Sequence, residues 1–123
     1  MNASTLNRLL QQNVLDIRFV RRRPRAGVPP TRRMLCTLNE NILNSVNGRT
    51  VLNYFPPANT VPYELSGKNL SMTWDIMMQD FRMVSAESTT VVNTYKPDDT
   101  FWQYFNENIL PMDVAAKSGF MNS

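Results

Sequence analysis

The stretch Leu15–Leu38, LDIRFVRRRPRAGVPPTRRMLCTL, decides how the chain is read. Leu15, Ile17 and Phe19 alternate with Asp16, Arg18 and Val20, the period of a strand with one buried face. Three prolines and a glycine then disfavour regular structure. From Arg33 to Leu38 the chain again reads as a strand. Strand, turn-rich segment, strand predicts a β-hairpin with a long loop over 21–33. Six of that loop's thirteen residues are arginine and none is acidic. The prolines stiffen the loop and keep it from pairing with a sheet, so its charge projects as a positive lobe.

The segments on either side fit a small β-rich domain. Toward the N-terminus, Leu6, Leu9 and Leu10 share one helical face behind a cap at Asn2 or Ser4, which predicts a short helix over 1–13. Downstream, Asn39–Asn47 reads as a short helix stopped at Asn47-Gly48, and Arg49–Phe55 as a strand. Prolines 56, 57 and 62 make 56–69 a surface loop. Leu70, Met72, Trp74 and Ile76 alternate with Ser71, Thr73 and Asp75, so the apolar set is expected in the core, with Thr73 and Asp75 in solvent. A turn at Gln79-Asp80 leads to a strand from Phe81 to Ser85, and Thr89–Tyr95 is a last strand. Asp98, Asp99 or Thr100 caps a helix on which Phe101, Phe105 and Ile109 stack. Pro111 ends it, and Asp113 caps a final helix through Phe120.

The expected fold class is therefore α+β and mainly β. A small β-barrel over 14–95 is preceded by a short helix and followed by an aromatic-rich helical appendix over 98–123, all in one domain.

Composition narrows the function. At 123 residues and 42% hydrophobic, the chain is long enough to bury a core. No long apolar run or leader-like segment is present, so neither a membrane span nor a signal peptide is expected. The lone Cys36 excludes an internal disulfide and fits a reducing, cytosolic setting. There is no histidine, which rules out a Ser-His-Asp triad, a Cys-His pair and a zinc site with His ligands within this chain. The four glycines are scattered, with no phosphate-binding loop. Asp98-Asp99 is better explained by helix capping than by paired catalytic carboxylates. No enzymatic activity and no cofactor are expected.

The net charge of +3 conceals a split. Residues 1–39 carry eight arginines against the single acid Asp16, a local charge of +7. Residues 40–123 carry five basic residues against nine acids, a local charge of −4. Arginine offers a planar fork to phosphate or carboxylate and stacks on bases.

Two segments carry a resemblance: LDIRFVRRRPRAGVPPTRRMLCTLN and LSMTWDIMMQDFRMVSAESTTVV. Arg33, Met34, Cys36, Thr37 and Leu38, then Trp74, Asp75, Ile76, Phe81, Arg82 and Val84, are similar to the motifs of the WYL-type, Sm-like (SH3-like) small β-barrel family of tailed bacteriophages. The loop is longer and richer in proline than that family's glycine-centred hairpin. Phe101–Asn108 resembles variants from phages of cyanobacteria. The resemblance implies a small-barrel fold, a phage origin and a place in the host cytoplasm or the virion. It implies no particular reaction, and it raises the expectation of nucleic-acid binding.

The leading functional expectation is a non-enzymatic phage accessory protein that binds DNA or RNA through its arginine hairpin, at or near the host transcription apparatus. Arg18, Arg21, Arg22, Arg23, Arg25, Arg32 and Arg33 are the candidate phosphate contacts. The alternative is a protein-interaction module, a host-takeover factor or virion component docking on an acidic partner surface. Its candidate contacts are Trp102, Tyr104, Met77 and Met78. A homo-oligomeric structural protein is a third reading. Ordinary packing competes with each: ion pairing of the arginines with Asp75, Asp80 or Glu87, and burial of the methionines and aromatics in the core.

Overall fold

The computed structural model describes residues 1–54 and 67–123. It is an α+β fold built on a five-stranded antiparallel sheet. Helix α1 (Ala3–Gln12) leads into β1 (Val14–Val20), and the arginine loop returns as β2 (Thr31–Thr37). Short helices α2 (Glu40–Leu43) and α3 (Val46–Val51) follow. Then come β3 (Leu70–Asp75), β4 (Asp80–Ser85) and β5 (Thr90–Tyr95). Helix α4 (Asp99–Tyr104) continues as a π-helical turn, Phe105–Ile109, before helix α5 (Val114–Met121). Of the proline-rich loop expected over 56–69, residues 56–66 lie outside the described residues.

The strand order is β4-β3-β2-β1-β5, so the last strand returns beside the first. No pairing between β4 and β5 closes the sheet among the described residues, so the expected barrel is seen only as an open five-stranded sheet. β2 and β3 share only two residue pairs, Cys36 with Asp75 and Thr37 with Trp74, supplemented by Ile76 N donating to Leu35 O at 2.9 Å. A register shift between Asp16 and Ile17 bends β1 against β5.

Both faces of the sheet are covered. Against one face, Ala3, Leu6 and Leu10 of α1 pack on Leu15, Ile17, Phe19, Met34, Cys36 and Val84. The carbonyls at the end of α1 are taken up by the chain beyond β2. Leu38 N donates to Leu10 O at 3.0 Å, and Thr37 Oγ1 donates to Asn13 O at 2.8 Å. Against the other face, Phe101, Trp102, Phe105 and Ile109 pack with Ile42 and Leu43 on Val14, Leu35, Trp74 and Ile76. Asp98 caps α4 by accepting from Thr100 N, and Asp113 caps α5 by accepting from Ala116 N, as the sequence predicts.

Three local expectations are corrected. Thr73 and Asp75 are buried, along with Ser71, because α1 and the hairpin root cover the face expected to meet solvent. Thr73 Oγ1 donates to Thr37 O at 3.3 Å, which satisfies it there. The segment read as a stop at Asn47-Gly48 and a strand from Arg49 is instead helix α3. Ser45 caps it by accepting from Gly48 N at 2.8 Å. Gly48 serves close approach rather than termination: a Cβ there would lie 1.9 Å from the carbonyl oxygen of Ile42. Finally, β2 begins at Thr31, two residues before the expected strand start. Pro29 and Pro30 stay outside the ladder while Phe19 pairs with Arg32 and Arg18 with Arg33.

Candidate functional site

The hairpin divides its arginines into two groups. Arg32 and Arg33 stand on β2, and their side chains leave the strand on opposite faces. Arg33 makes a two-pronged ion pair with Asp16: Nε to Oδ1 at 2.8 Å and Nη2 to Oδ2 at 2.5 Å. Asp16 is fully buried, and Asn93 Nδ2 donates to it at 3.4 Å. The hydrogen bond to Asp16 holds the Arg33 guanidinium above its ordinary pKa, against the opposing effect of burial. The Arg33 guanidinium carbon also lies 4.5 Å from the centre of the Phe120 ring.

Arg32 pairs with the buried Asp75 through Nη2 and Oδ2. The other oxygen of Asp75, Oδ1, accepts from Met77 N at 3.1 Å and from Met78 N at 3.0 Å. One carboxylate therefore fixes both an arginine and the turn that carries Met78. Burial pushes the Asp75 carboxyl above the usual carboxylate range, opposed by the Met78 hydrogen bond and by Arg32.

The other arginines sit at the hairpin's free end. Gly27, at φ +78°, turns the loop back on itself, and Val28 N donates to Arg25 O at 3.3 Å. Arg21 N donates to Pro30 O at 2.8 Å, closing the loop's base. Arg22, Arg23 and Arg25 are exposed. Neither Arg23 nor Arg25 makes a side-chain hydrogen bond or ion pair to a described residue, and Arg22 Nη1 lies 3.0 Å from the Met83 sulfur. Burial, then repulsion from Arg32 and Arg25, holds Arg21 below its ordinary pKa.

A hollow of about 470 Å³ opens between this loop and the β3–β4 turn. Arg21, Arg22, Arg23, Arg25, Arg32 and Arg82 line it. Its apolar walls are Phe19, Met78, Met83 and Met121. Among the described residues no acidic side chain lines it; Asp75 lies behind Arg32, and Asp80 holds Arg82 from the side at 2.7 Å. Arg82 was not among the residues expected here, although the aromatic-arginine pair at Phe81-Arg82 marks it in the sequence. The hairpin β3–β4 brings it to within reach of a loop some sixty positions earlier.

Helix α5 ends on the same region. Arg21 Nη2 donates to Asn122 Oδ1 at 2.9 Å, and Arg18 Nε donates to Ser123 O at 3.2 Å. Met121 Sδ lies 3.6 Å from Arg32 Nη2. No residue of α5 is fully buried, and Phe120 is its partly buried contact with the core.

The aromatic docking surface is not free in this fold. Trp102 is 7% exposed and Met77 6%, and both belong to the core beneath the sheet. Trp102 packs edge-on against Phe105 with ring centres 5.6 Å apart. Tyr104 is half-buried and stacks on Tyr95 at 4.4 Å. Met78 alone of the four is exposed, at 44%, and it belongs to the arginine hollow. Cys36 is fully buried, and burial raises its thiol far above the ordinary range, away from nucleophilic use. Among the described residues no cluster of carboxylates and thiols is placed to hold a metal ion, and no helix is long and apolar enough to cross a membrane.

No protein-family model, curated protein or solved structure matches the chain.

Proposed function

We propose that this is a non-enzymatic nucleic-acid-binding protein, a phage accessory factor on a bent Sm-like sheet, that grips phosphates with its arginine hairpin. The observation that carries this reading is the convergence of six guanidinium groups on one hollow with no acid in its lining among the described residues. Four of the six, Arg21, Arg22, Arg23 and Arg25, have no acidic partner among the described residues, and such a concentration of arginine attracts a polyanion and releases its counterions. The return of β5 beside β1 is the step by which a small antiparallel sheet curls toward closure, in keeping with the Sm-like resemblance.

Roles within the site follow from the partners. Arg22, Arg23 and Arg25 are the principal phosphate contacts, because nothing described competes for them. Arg21 and Arg82 assist from the rim. Arg32 offers the side of its guanidinium that Asp75 leaves open. Arg33 and Arg18 anchor the hairpin and α5. Protein docking through the aromatic helix is the weaker alternative, since Trp102 is already consumed by the core.

The test is fluorescence anisotropy with short DNA and RNA probes over a salt series. Binding should weaken log-linearly with salt, with a slope of about −0.7 to −0.9 per phosphate neutralised. Replacing Arg22, Arg23 and Arg25 together with alanine should flatten the slope by about 2 to 3. Absence of binding at low ionic strength would sink the proposal.

A further inference from the structure

Phosphate alone does not explain the hollow. Its volume of about 470 Å³ lies in the range of sites that enclose an organic ligand, about 300–1,000 Å³. Much of its wall is apolar, supplied by Phe19 and by three methionines from separate parts of the chain. Met78 comes from the β3–β4 turn, Met83 from β4 and Met121 from α5. Thioethers are polarisable and make favourable contacts with aromatic rings. Guanidinium planes stack on bases as well as binding phosphate. A ligand matched to both walls carries an anionic end and a flat aromatic end.

We infer that the hollow seats one unstacked nucleotide of a single strand. The flanking phosphates lie on Arg22, Arg23 and Arg25, and the base rests against Met78, Met83 and Met121. This rests on the nucleic-acid reading above and makes it more specific: a single strand is preferred to a duplex. In a duplex the base faces are stacked inside the helix, and only the phosphates reach the arginines. In a single strand a base can be turned out and placed on the methionine wall.

The floor of the hollow is built before ligand arrives. Asp75 orients Arg32 through one oxygen and the backbone of Met78 through the other, and Asp80 orients Arg82. The remaining arginines stand close together without a counter-charge in the lining among the described residues. The lowered pKa of Arg21 reflects burial first and then this crowding. A phosphate entering the hollow relieves the repulsion.

Two measurements on the full chain test the inference. The first labels the methionine methyl groups with carbon-13 and titrates adenosine 5′-monophosphate, ribose 5-phosphate and inorganic phosphate. The nucleotide should move the Met78, Met83 and Met121 resonances through the ring current of its base. The two base-free phosphates should leave them nearly in place. The second compares anisotropy of a thymidine oligonucleotide with that of a duplex of equal length. The single strand should bind at least about fivefold more tightly, the low end of one base-stacking contact. Met78→Ala, a change at an exposed side chain, should remove most of that preference. If both oligonucleotides bind equally with a steep salt dependence and the methyl resonances stay silent, the nucleotide seat is wrong and the phosphate reading stands. If neither binds at low salt, both are wrong.

Discussion

Replacing Asp16 with alanine should be among the most damaging single changes in the hairpin, though it touches no exposed surface. Asp16 is fully buried and receives both prongs of Arg33 and the amide of Asn93. Removing it leaves a guanidinium whose side chain is only 22% exposed without its counter-charge. Stranding one partner of a buried pair costs about 3–5 kcal/mol. Arg33 keeps a solvent-facing edge and its contact with Phe120, so the lower end, about 3 kcal/mol, is expected. For a chain of this length each kcal/mol moves the midpoint by about 3–5 °C, giving a fall of about 10–15 °C. Thermal unfolding followed by far-UV circular dichroism reads the shift, and urea unfolding gives the free energy independently. The double change Asp16→Leu with Arg33→Met should recover most of the loss, because an apolar pair of similar volume removes the stranded charge. A fall of less than about 3 °C for Asp16→Ala would show that the pair behaves as a surface contact of under about 1 kcal/mol and would refute the reasoning.

Other outcomes follow from single contacts. Gly48→Ala should cost about 1–3 kcal/mol in urea unfolding, since the new methyl group meets the rigid carbonyl of Ile42 rather than a flexible side chain. Asp75 is a carboxyl raised in the folded state, so that state binds more protons than the unfolded chain above about pH 4. Its contribution to stability should therefore fall as pH rises from there through its folded value; the stability of the wild type relative to Asp75→Asn, measured in urea across pH 4 to 7, should decline. Phe120→Ala combined with Asn122→Ala loosens the end of α5 from Arg33 and Arg21. Arg33 stays paired with Asp16, whereas Arg21 loses an acceptor that orients it, so that variant should bind a duplex probe more weakly with a nearly unchanged salt slope.

The strands were legible because alternation is a local property. β1, β3 and β5 follow from their own residues, as do the caps at Asp98 and Asp113. Alternation identifies two faces of a strand but not which is covered. With α1 on one side and α4 on the other, the polar face of β3 is buried as well. Trp102 escaped the stripe formed by Phe101, Phe105 and Ile109 for a related reason. Helix α4 packs among the sheet, α2 and the chain after α3, so more than one of its faces is covered. β-branched residues at Thr50 and Val51 argued for a strand, and the Ser45 cap with the tight Gly48 corner overrode them. The concentration of arginine was plain, but its division was not. Arg33 meets an acid 17 positions away and Arg32 one 43 positions away, and only the register of β1, β2 and β3 brings them together.

That division explains how a fold tolerates seven arginines between Arg18 and Arg33. Arg32 and Arg33, at the root, are neutralised by buried carboxylates. The five outer arginines have no ion-pair partner among the described residues. Arg21 is instead held by neutral acceptors, Pro29 O and Asn122 Oδ1. A neutral acceptor fixes the direction of a guanidinium without cancelling its charge, whereas a carboxylate does both. Buried acids at the root stabilise the sheet where charge would otherwise oppose burial, and uncharged oxygens at the rim orient the cations while leaving their field intact. A surface used only for solubility gains nothing from oriented cations, whereas a site for an anion of defined shape gains from every donor placed before the ligand arrives.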